Sequence, residues 1–439
     1  MQEAGGRARF WAPAVVIVVA AVIRCWGLTT PDQLYWDEQY YVFDAEAYLG
    51  GGFGQPLLPA PTVKIADEGT WVHPPLGKWL IALLGVGPVG ARPLGWRLPS
   101  VVFGVAGVAL LYLLALHLWG SIWWATMAAS LLSLDGLHIV QSRIAMLDIF
   151  MSTFVIAGVL LVVLDHKRQL SVERSSHTGP IAAVFGSWYR LASGSALGAA
   201  VACKWAAIPA LVVAALFCLI WSLNADRGSA RLWIFATVGM SFVVAPLVVY
   251  LMSYGAFFFQ HGAAAQDFAT LQRRMLEYHQ SHSKAQPESS RAWTWPLMLH
   301  PSVYLTRVDG TSVQRVVALG NPVVWWVFLV TIPPAMVRWI RRPTWPVGLI
   351  FAMYAALFLP WLFISRSEFI FYMLPAVPFM CLGVTAALRD LPRETGRRLA
   401  VGIIVLATVT FVAFFPWWSG TWVPATRVTY LDLLPEWPS

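Results

Sequence analysis

Long apolar runs, interrupted by prolines, glycines and short charged stretches, dominate the chain, and their length is the first structural signal. A membrane span needs about 20 mainly apolar residues. Runs of that kind lie near 11–28, 95–118, 121–141, 145–164, 189–203, 205–222, 232–252, 321–340, 346–364, 367–388 and 399–418, which predicts eleven spanning helices. The 189–203 run is short and carries Gly194 and Gly198. Small residues let helices approach closely, so this segment is expected among other helices and not against lipid. A half-length run at 76–86, bounded by Gly85, Gly87 and Gly90, is too short to span and reads as a re-entrant or interfacial helix.

Two long connections remain, 29–94 and 253–320. Connections of this size are functional or disordered, and the aromatic content of both argues against disorder. Within the second, Phe268, Leu271, Met275 and Tyr278 recur at helical spacing over 263–281, as in a helix lying on a membrane surface. No internal repeat and no pair of inverted halves is visible.

Composition agrees with lipid as the main solvent. The 439 residues are 58% hydrophobic and 12% charged, where a soluble domain carries roughly 25% charged residues. The expected class is an all-α polytopic membrane protein, one transmembrane domain over 1–439 with no soluble accessory domain. The net charge of +8 does not point to nucleic acid, because the basic residues flank apolar runs and do not form a stripe interleaved with aromatics.

With a cytoplasmic N-terminus, the N-terminal segment, Arg338 and the loops 165–190, 224–231, 341–345 and 389–398 hold about 15 of the 30 Lys and Arg but about six of the 22 acids. That is the bias of the positive-inside rule. Both long connections and the C-terminal tail then lie outside, with Trp417, Trp418 and Trp422 as interface anchors. Arg7 and Arg9 before an apolar run resemble a secretory signal, but no small-residue cleavage site follows, so an uncleaved first span is expected. Cys25, Cys203, Cys218 and Cys381 all lie in or beside apolar runs at no metal-ligand spacing and read as packing residues.

Candidate chemistry gathers at predicted outer span ends. Asp37 and Glu38 stand in the aromatic stretch Tyr35-Trp36-Asp37-Glu38-Gln39-Tyr40-Tyr41. Two adjacent carboxylates in a half-apolar setting are pushed toward base-competent pKa values; the plain alternative is a pair of solvated loop acids or a helix N-cap. His73 and Lys78 flank the rigid Pro74-Pro75, which presets a helix start and would hold both at the membrane surface. Arg143 and Asp148 sit at the junction of the third and fourth spans, either as functional groups or as each other's ion-pair partner. Lys204 and Arg366 lie at two further outer span ends, and with Arg143 give three cations suited to a lipid phosphate. No Walker-type loop, GxGxxG or HExxH motif is present. An outward-facing enzyme would thus need a donor already in the membrane. Two acids could bind a divalent ion through water, but no complete ligand set is visible.

The chain resembles the actinobacterial-type protein O-mannosyltransferase family. The resemblance rests on Tyr-Trp-Asp-Glu at 35–38, Val-His-Pro-Pro-Leu-Gly-Lys at 72–78, Ser-Arg-Ile-Ala-Met-Leu-Asp at 142–148 and Cys-Lys-Trp at 203–205. It continues through Trp-Thr-Trp-Pro-Leu at 293–297, Leu-Gly-Asn-Pro at 319–322 and Arg-Ser-Glu-Phe-Ile-Phe-Tyr-Met-Leu-Pro at 366–375, all in family order. The resemblance implies a GT-C membrane glycosyltransferase that moves mannose from a polyprenyl-phosphate carrier to Ser or Thr of a secreted polypeptide. It maps the family's Asp-Glu motif onto Asp37, as general base, and Glu38, and the family's arginine onto Arg143. The β-trefoil domain of the eukaryotic members is missing, and Ser290-Arg291-Ala292 stands where Ser-Lys-Pro is expected.

The residues and the resemblance together give one expectation. Asp37 accepts the acceptor's proton as its oxygen attacks the anomeric carbon, while Arg143, Lys204 and Arg366 stabilise the departing lipid phosphate. Glu38 orients the acceptor or holds sugar hydroxyls. His73, Lys78, Asp148, Trp293, Trp295 and Tyr372 complete the substrate contacts. Expected partners are polyprenyl-phosphate-mannose, a Ser/Thr-containing secreted polypeptide, membrane lipid and the secretion channel, with the active site on the extracytoplasmic face of the cell membrane. Alternatives are a GT-C enzyme acting on a lipid or polysaccharide acceptor, and a transporter or flippase, which would carry polar residues through the bilayer midplane.

Overall fold

A computed structural model describes residues 2–50, 71–174, 188–225, 231–261, 265–281, 286, 288–364 and 366–428. The middle of the first long connection and half of the 165–190 loop fall outside the described residues. Among the described residues, eight helices are long and apolar enough to cross a membrane: Pro93–Trp119, Leu147–Ser171, Trp205–Ala225, Arg231–Ser253, Pro322–Arg341, Trp345–Phe363, Ile370–Arg389 and Arg393–Ser419. These correspond to eight of the eleven predicted runs. Of the other three, the first is the Gln2–Cys25 helix, apolar only from Trp11 onward. The 121–141 run breaks into Ile122–Ser133 and Gly136–Gln141. The break falls at Asp135, whose carboxylate accepts from the backbone of His138 at 2.9 Å and so caps the second piece.

The third is Trp188–Cys203, and it lies where its glycines place it. A Cβ on Gly194 would stand 1.6 Å from the Ser241 carbonyl oxygen, and one on Gly198 would stand 2.5 Å from the Pro246 Cα. Only the absent side chains allow that approach to the Met240–Val244 π-turn and the helix after it. The opposite side packs along Leu147–Arg174, where Ser193 Oγ donates to the Gly158 carbonyl at 2.8 Å. The core of the bundle runs along Leu147–Ser171 and Ile370–Arg389, the most buried of the spans, while Arg393–Ser419 presents Val401, Val405, Val409 and Val412 outward.

The second long connection is built. Its 265–281 helix forms as the spacing predicts, with Met275 buried and Arg273, Arg274 and Glu277 exposed. Among the described residues the helical architecture has one addition, a three-stranded antiparallel sheet in the order β1 (Ser302–Asp309), β2 (Ser312–Ala318), β3 (Val423–Pro424). Asp309 pairs with Ser312 across a Gly310-Thr311 turn; a two-residue hairpin loop needs a positive φ at its first position, which Gly310 supplies at +55°. Val313 pairs with Val423, so the segment after the last span lies against the second long connection. Asp32 of the first connection reaches Arg307 at 3.3 Å. Both predicted outer loops and the end of the last span thus share one end of the bundle. Trp417 and Trp418 are not interface anchors as expected: both are buried, Trp418 stacked on Phe414 and closed over Gly136, and only Trp422 is exposed.

Candidate active site

Two arginines shape the loop that carries the acidic pair. The last carbonyls of a helix have no intrahelical partner, and at the end of Gln2–Cys25 they are met by Arg143. Its Nη1 donates to the carbonyls of Arg24 (2.8 Å), Trp26 (2.6 Å) and Ile23 (3.4 Å), and its Nη2 to those of Gly27 (3.2 Å) and Ser419 (3.3 Å). The expectation that Arg143 grips a phosphate is therefore corrected, because its buried guanidinium is committed to backbone carbonyls. Nor is it the partner of Asp148. Arg97 does the same for the next segment. Its Nε and Nη2 hold the two oxygens of Glu38, each at 2.9 Å, and its remaining donors reach the carbonyls of Leu28, Pro31 and Gln33. All five guanidinium N–H groups are used.

The adjacent acids therefore diverge. Glu38 is fully buried, held bidentately by Arg97, and also accepts from the Ala145 amide at 3.1 Å. This overturns its expected contact with substrate; Glu38 fixes the loop against the 142–148 junction. Asp37 occupies the N-cap position of Glu38–Leu49 and its carbonyl accepts from the Tyr40 and Tyr41 amides, yet its carboxylate makes no capping bond and, among the described residues, no other hydrogen bond or ion pair. Burial raises the Asp37 carboxyl to about 6; Lys204 nearby pulls it down and Asp148 pushes it up. The preceding Trp36 has φ +53°, a conformation that costs a non-glycine residue of order 1–3 kcal/mol. Its ring is held by stacking on Tyr304 (4.7 Å) and edge contacts to Phe369 and Phe371. The strain falls on the residue that aims Asp37.

Beside this loop lies a recess of ≈ 550 Å³. Asp148, Lys204, His73, His279, Arg366 and Tyr372 are polar groups of its lining, and Ile208, Pro209, Ala356, Leu357 and Pro360 apolar ones. Lys204 Nζ meets Asp148 Oδ2 at 2.7 Å and lies 5.8 Å from the ring centres of both Phe371 and Tyr372. Arg366 stands over Trp361 (5.7 Å) and Tyr372 (5.6 Å) and contacts His279 Nδ1 at 2.8 Å. Of the three expected phosphate cations, two come together and Arg143 does not.

The remaining expected residues divide in the same way. His73 borders the recess and stacks on His279 at 5.2 Å; burial, with Lys204 and His279 next, pushes its imidazole well below the usual range and leaves it neutral. Lys78 does not reach substrate or the membrane surface: it is fully buried and paired with Asp44 at 2.8 Å. Trp295 is buried behind the wall, packed on Trp361 and Tyr372 with its indole N–H donated to Ser290 Oγ, whereas Trp293 is 61% exposed. The Leu-Gly-Asn-Pro stretch is structural. Asn321 Oδ1 accepts from the Val323 amide and its Nδ2 reaches the carbonyls of Leu134 and Ala407.

Two site residues escaped the sequence reading. Arg97 lies within an apolar run, and an ionisable group there should have prompted a search for its partner. His279 ends the polar side of an amphipathic helix, where nothing local distinguishes it. Among the described residues no three carboxylate, imidazole or thiol groups converge as ligands for a metal.

The fold has solved counterparts. The chain superposes on the Saccharomyces cerevisiae protein O-mannosyltransferase Pmt1–Pmt2 complex bound to the sugar donor with TM-score 0.79 at 14% identity, covering 98% of this chain and 92% of that one. It matches apo ArnT from Cupriavidus metallidurans at TM-score 0.59 and 16% identity, over 93% and 76%. The architecture is that of the GT-C membrane glycosyltransferases.

The family follows from sequence profiles. Residues 14–259 match the dolichyl-phosphate-mannose-protein mannosyltransferase family, and residues 264–437 match the C-terminal four-span region of protein O-mannosyltransferases. The chain belongs to this family of enzymes. It is similar to polyprenol-phosphate-mannose–protein mannosyltransferases of Mycolicibacterium smegmatis (27% identity over 98% of this chain and 93% of the relative) and Corynebacterium glutamicum (27%, 97% and 92%). The Mycobacterium tuberculosis relative is 28% identical over 84% and 81%.

Proposed function

We propose that this enzyme transfers mannose from polyprenyl-phosphate-mannose to Ser or Thr hydroxyls of secreted polypeptides, at the extracytoplasmic face of the cell membrane and with inversion at the anomeric carbon. One observation carries the mechanism: Asp37 is an uncommitted carboxylate raised to about 6 within the field of Lys204, which lines the recess with Arg366. A base in that range accepts a proton at neutral pH. The acceptor oxygen forms its bond to the anomeric carbon as Asp37 takes the hydroxyl proton, and the bond from that carbon to the phosphate oxygen breaks. Lys204 and Arg366 stabilise the departing phosphate charge. One displacement from a β-linked donor gives an α-mannoside.

The polar and apolar groups that line the recess suit the two halves of such a donor. Asp148 orients Lys204 through one of its three N–H donors and leaves the others for phosphate. The isoprenoid chain leaves along Ile208, Pro209 and Leu357 toward lipid. Glu38 and Arg97 hold the loop that aims Asp37. Lys204 and Arg366 supply positive charge beside the departing phosphate, and activity before and after EDTA tests whether a divalent ion adds to it. The cytoplasmic N-terminus, which the positive-inside bias supports, and a place beside the secretion channel belong to the same proposal.

The test uses membranes carrying the full chain, polyprenyl-phosphate-mannose and a Ser/Thr peptide, with a glycolipid acceptor as the second arm. Asp37→Asn is expected to abolish peptide mannosylation at unchanged protein level. Full activity of that variant would remove Asp37 as the base, and transfer to the glycolipid alone would move the enzyme to a different acceptor class.

A further inference from the structure

The diproline stretch and the surface helix meet at one side chain that the mechanism has not yet used. His279, near the end of Ala265–Ser281, places Nε2 3.0 Å from the carbonyl oxygen of Val72 and Nδ1 2.8 Å from Arg366 Nη1. A carbonyl oxygen only accepts, so Nε2 carries the proton. Nδ1 then has a lone pair, and it accepts from the guanidinium, which only donates. The ring itself is fixed by stacking on His73 at 5.2 Å and 30°.

Arg366 lies over the faces of Trp361 and Tyr372. Stacking sets the plane of a guanidinium but does not choose which edge faces the recess; a directed hydrogen bond does.

We infer that His279 is a positioning residue for the donor phosphate: as a neutral acceptor it occupies one edge of Arg366 and turns the other edge toward the recess. The inference rests on the proposal that Arg366 meets the lipid phosphate. It also gives the Val72-His73 stretch a purpose, since the Val72 carbonyl sets the tautomer and the His73 ring sets the plane.

A plainer role, anchoring the surface helix to the diproline turn, makes different predictions. Initial rates are measured in membranes carrying the full chain, varying polyprenyl-phosphate-mannose and Ser/Thr peptide separately. His279→Ala is expected to raise the donor KM about tenfold, the scale of a hydrogen bond to a charged group, with the peptide KM unchanged. His279→Asn, whose Oδ1 stands near the place of Nδ1, restores most of the donor KM. Adding His279→Ala to Arg366→Gln causes no further loss, because one side chain acts through the other.

Equal changes in both KM values, or His279→Asn failing as His279→Ala does at normal protein level, would overturn the inference in favour of anchoring. If Arg366→Gln raises the donor KM and His279→Ala does not, the positioning role falls and the phosphate contact stands. If Arg366→Gln leaves the donor KM unchanged, both fall.

Discussion

The same two helices are joined by an ion pair at each end, and the two pairs differ in what they leave unused. Leu147–Arg174 and Trp188–Cys203 run side by side. Asp165 meets Arg190 at 3.0 Å at one end, and Asp148 meets Lys204, just past the second helix, at 2.7 Å at the other. The two acids lie on one helix, about 25 Å apart at 1.5 Å per residue. Arg190 donates twice to Asp165 and also to Ser222 and Thr237, while Gln169 adds a bond to the same carboxylate. That end is a knot tying four helices. Lys204 has Asp148 and two aromatic faces, and it borders the recess. A charge at a span end is not functional by its position alone; what separates the two ends is how many donors remain after the protein has used its share.

The comparison breaks most readily at Lys204. Lys204→Gln is expected to lower transfer per folded enzyme by about 100- to 1,000-fold, as when one preorganised donor to developing charge is lost, beyond the destabilisation that breaking its buried pair with Asp148 brings. Arg190→Gln should do the reverse. Removing one partner of a buried pair costs about 3–5 kcal/mol, so thermal unfolding in detergent should come markedly earlier while the remaining folded enzyme turns over normally. A Lys204 variant that is merely unstable, or an Arg190 variant that is stable but inactive, would mean the two ends have been assigned the wrong way round.

A smaller effect sharpens the same contrast. With Asp37 raised to about 6, transfer should rise as pH climbs through about 6 and level off above it, since the protonated acid accepts nothing. Lys204 lowers this carboxyl, so Lys204→Gln should move the acid limb of the residual activity to higher pH, and Arg190→Gln should leave it in place. The stability effect has the opposite sense. A carboxyl raised from 3.8 to about 6 on folding favours the protonated form, so wild type should lose stability relative to Asp37→Asn as pH rises through that interval, with no difference below it. A pH profile of Lys204→Gln superimposable on wild type would remove the electrostatic link between Lys204 and Asp37.

The spans are legible in the sequence because a helix in lipid satisfies its backbone internally and needs only length and apolarity. The surface helix is legible from its 3.6-residue spacing, and the buried place of Trp188–Cys203 from Gly194 and Gly198. The meeting of Lys204 with Arg366 is half legible: their shared side follows from topology, but their shared recess requires the fold. The fates of Glu38, Lys78 and Arg143 are not legible. Their partners are Arg97, Asp44 and a row of main-chain carbonyls, and backbone carbonyls have no identity in a sequence. His279 is hidden for the same reason, since its tautomer depends on the Val72 carbonyl.

The smallest expected effect comes from Arg143, where family resemblance and geometry part. Its five contacts all go to carbonyl oxygens at the end of the first helix, at Gly27 and at Ser419, so it joins the start of the chain to the end of the last span. Lysine keeps the charge but has one nitrogen and no planar fork, and can reach only some of those carbonyls. Arg143→Lys should therefore lose about 1–2 kcal/mol through the orphaned acceptors, read as a modest drop in thermal stability, with the donor KM unchanged. If Arg143→Lys instead raised the donor KM at wild-type stability, the guanidinium would have to leave the helix end when donor binds. The opening contrast would then need a third class, a saturated cation that releases its carbonyls for phosphate.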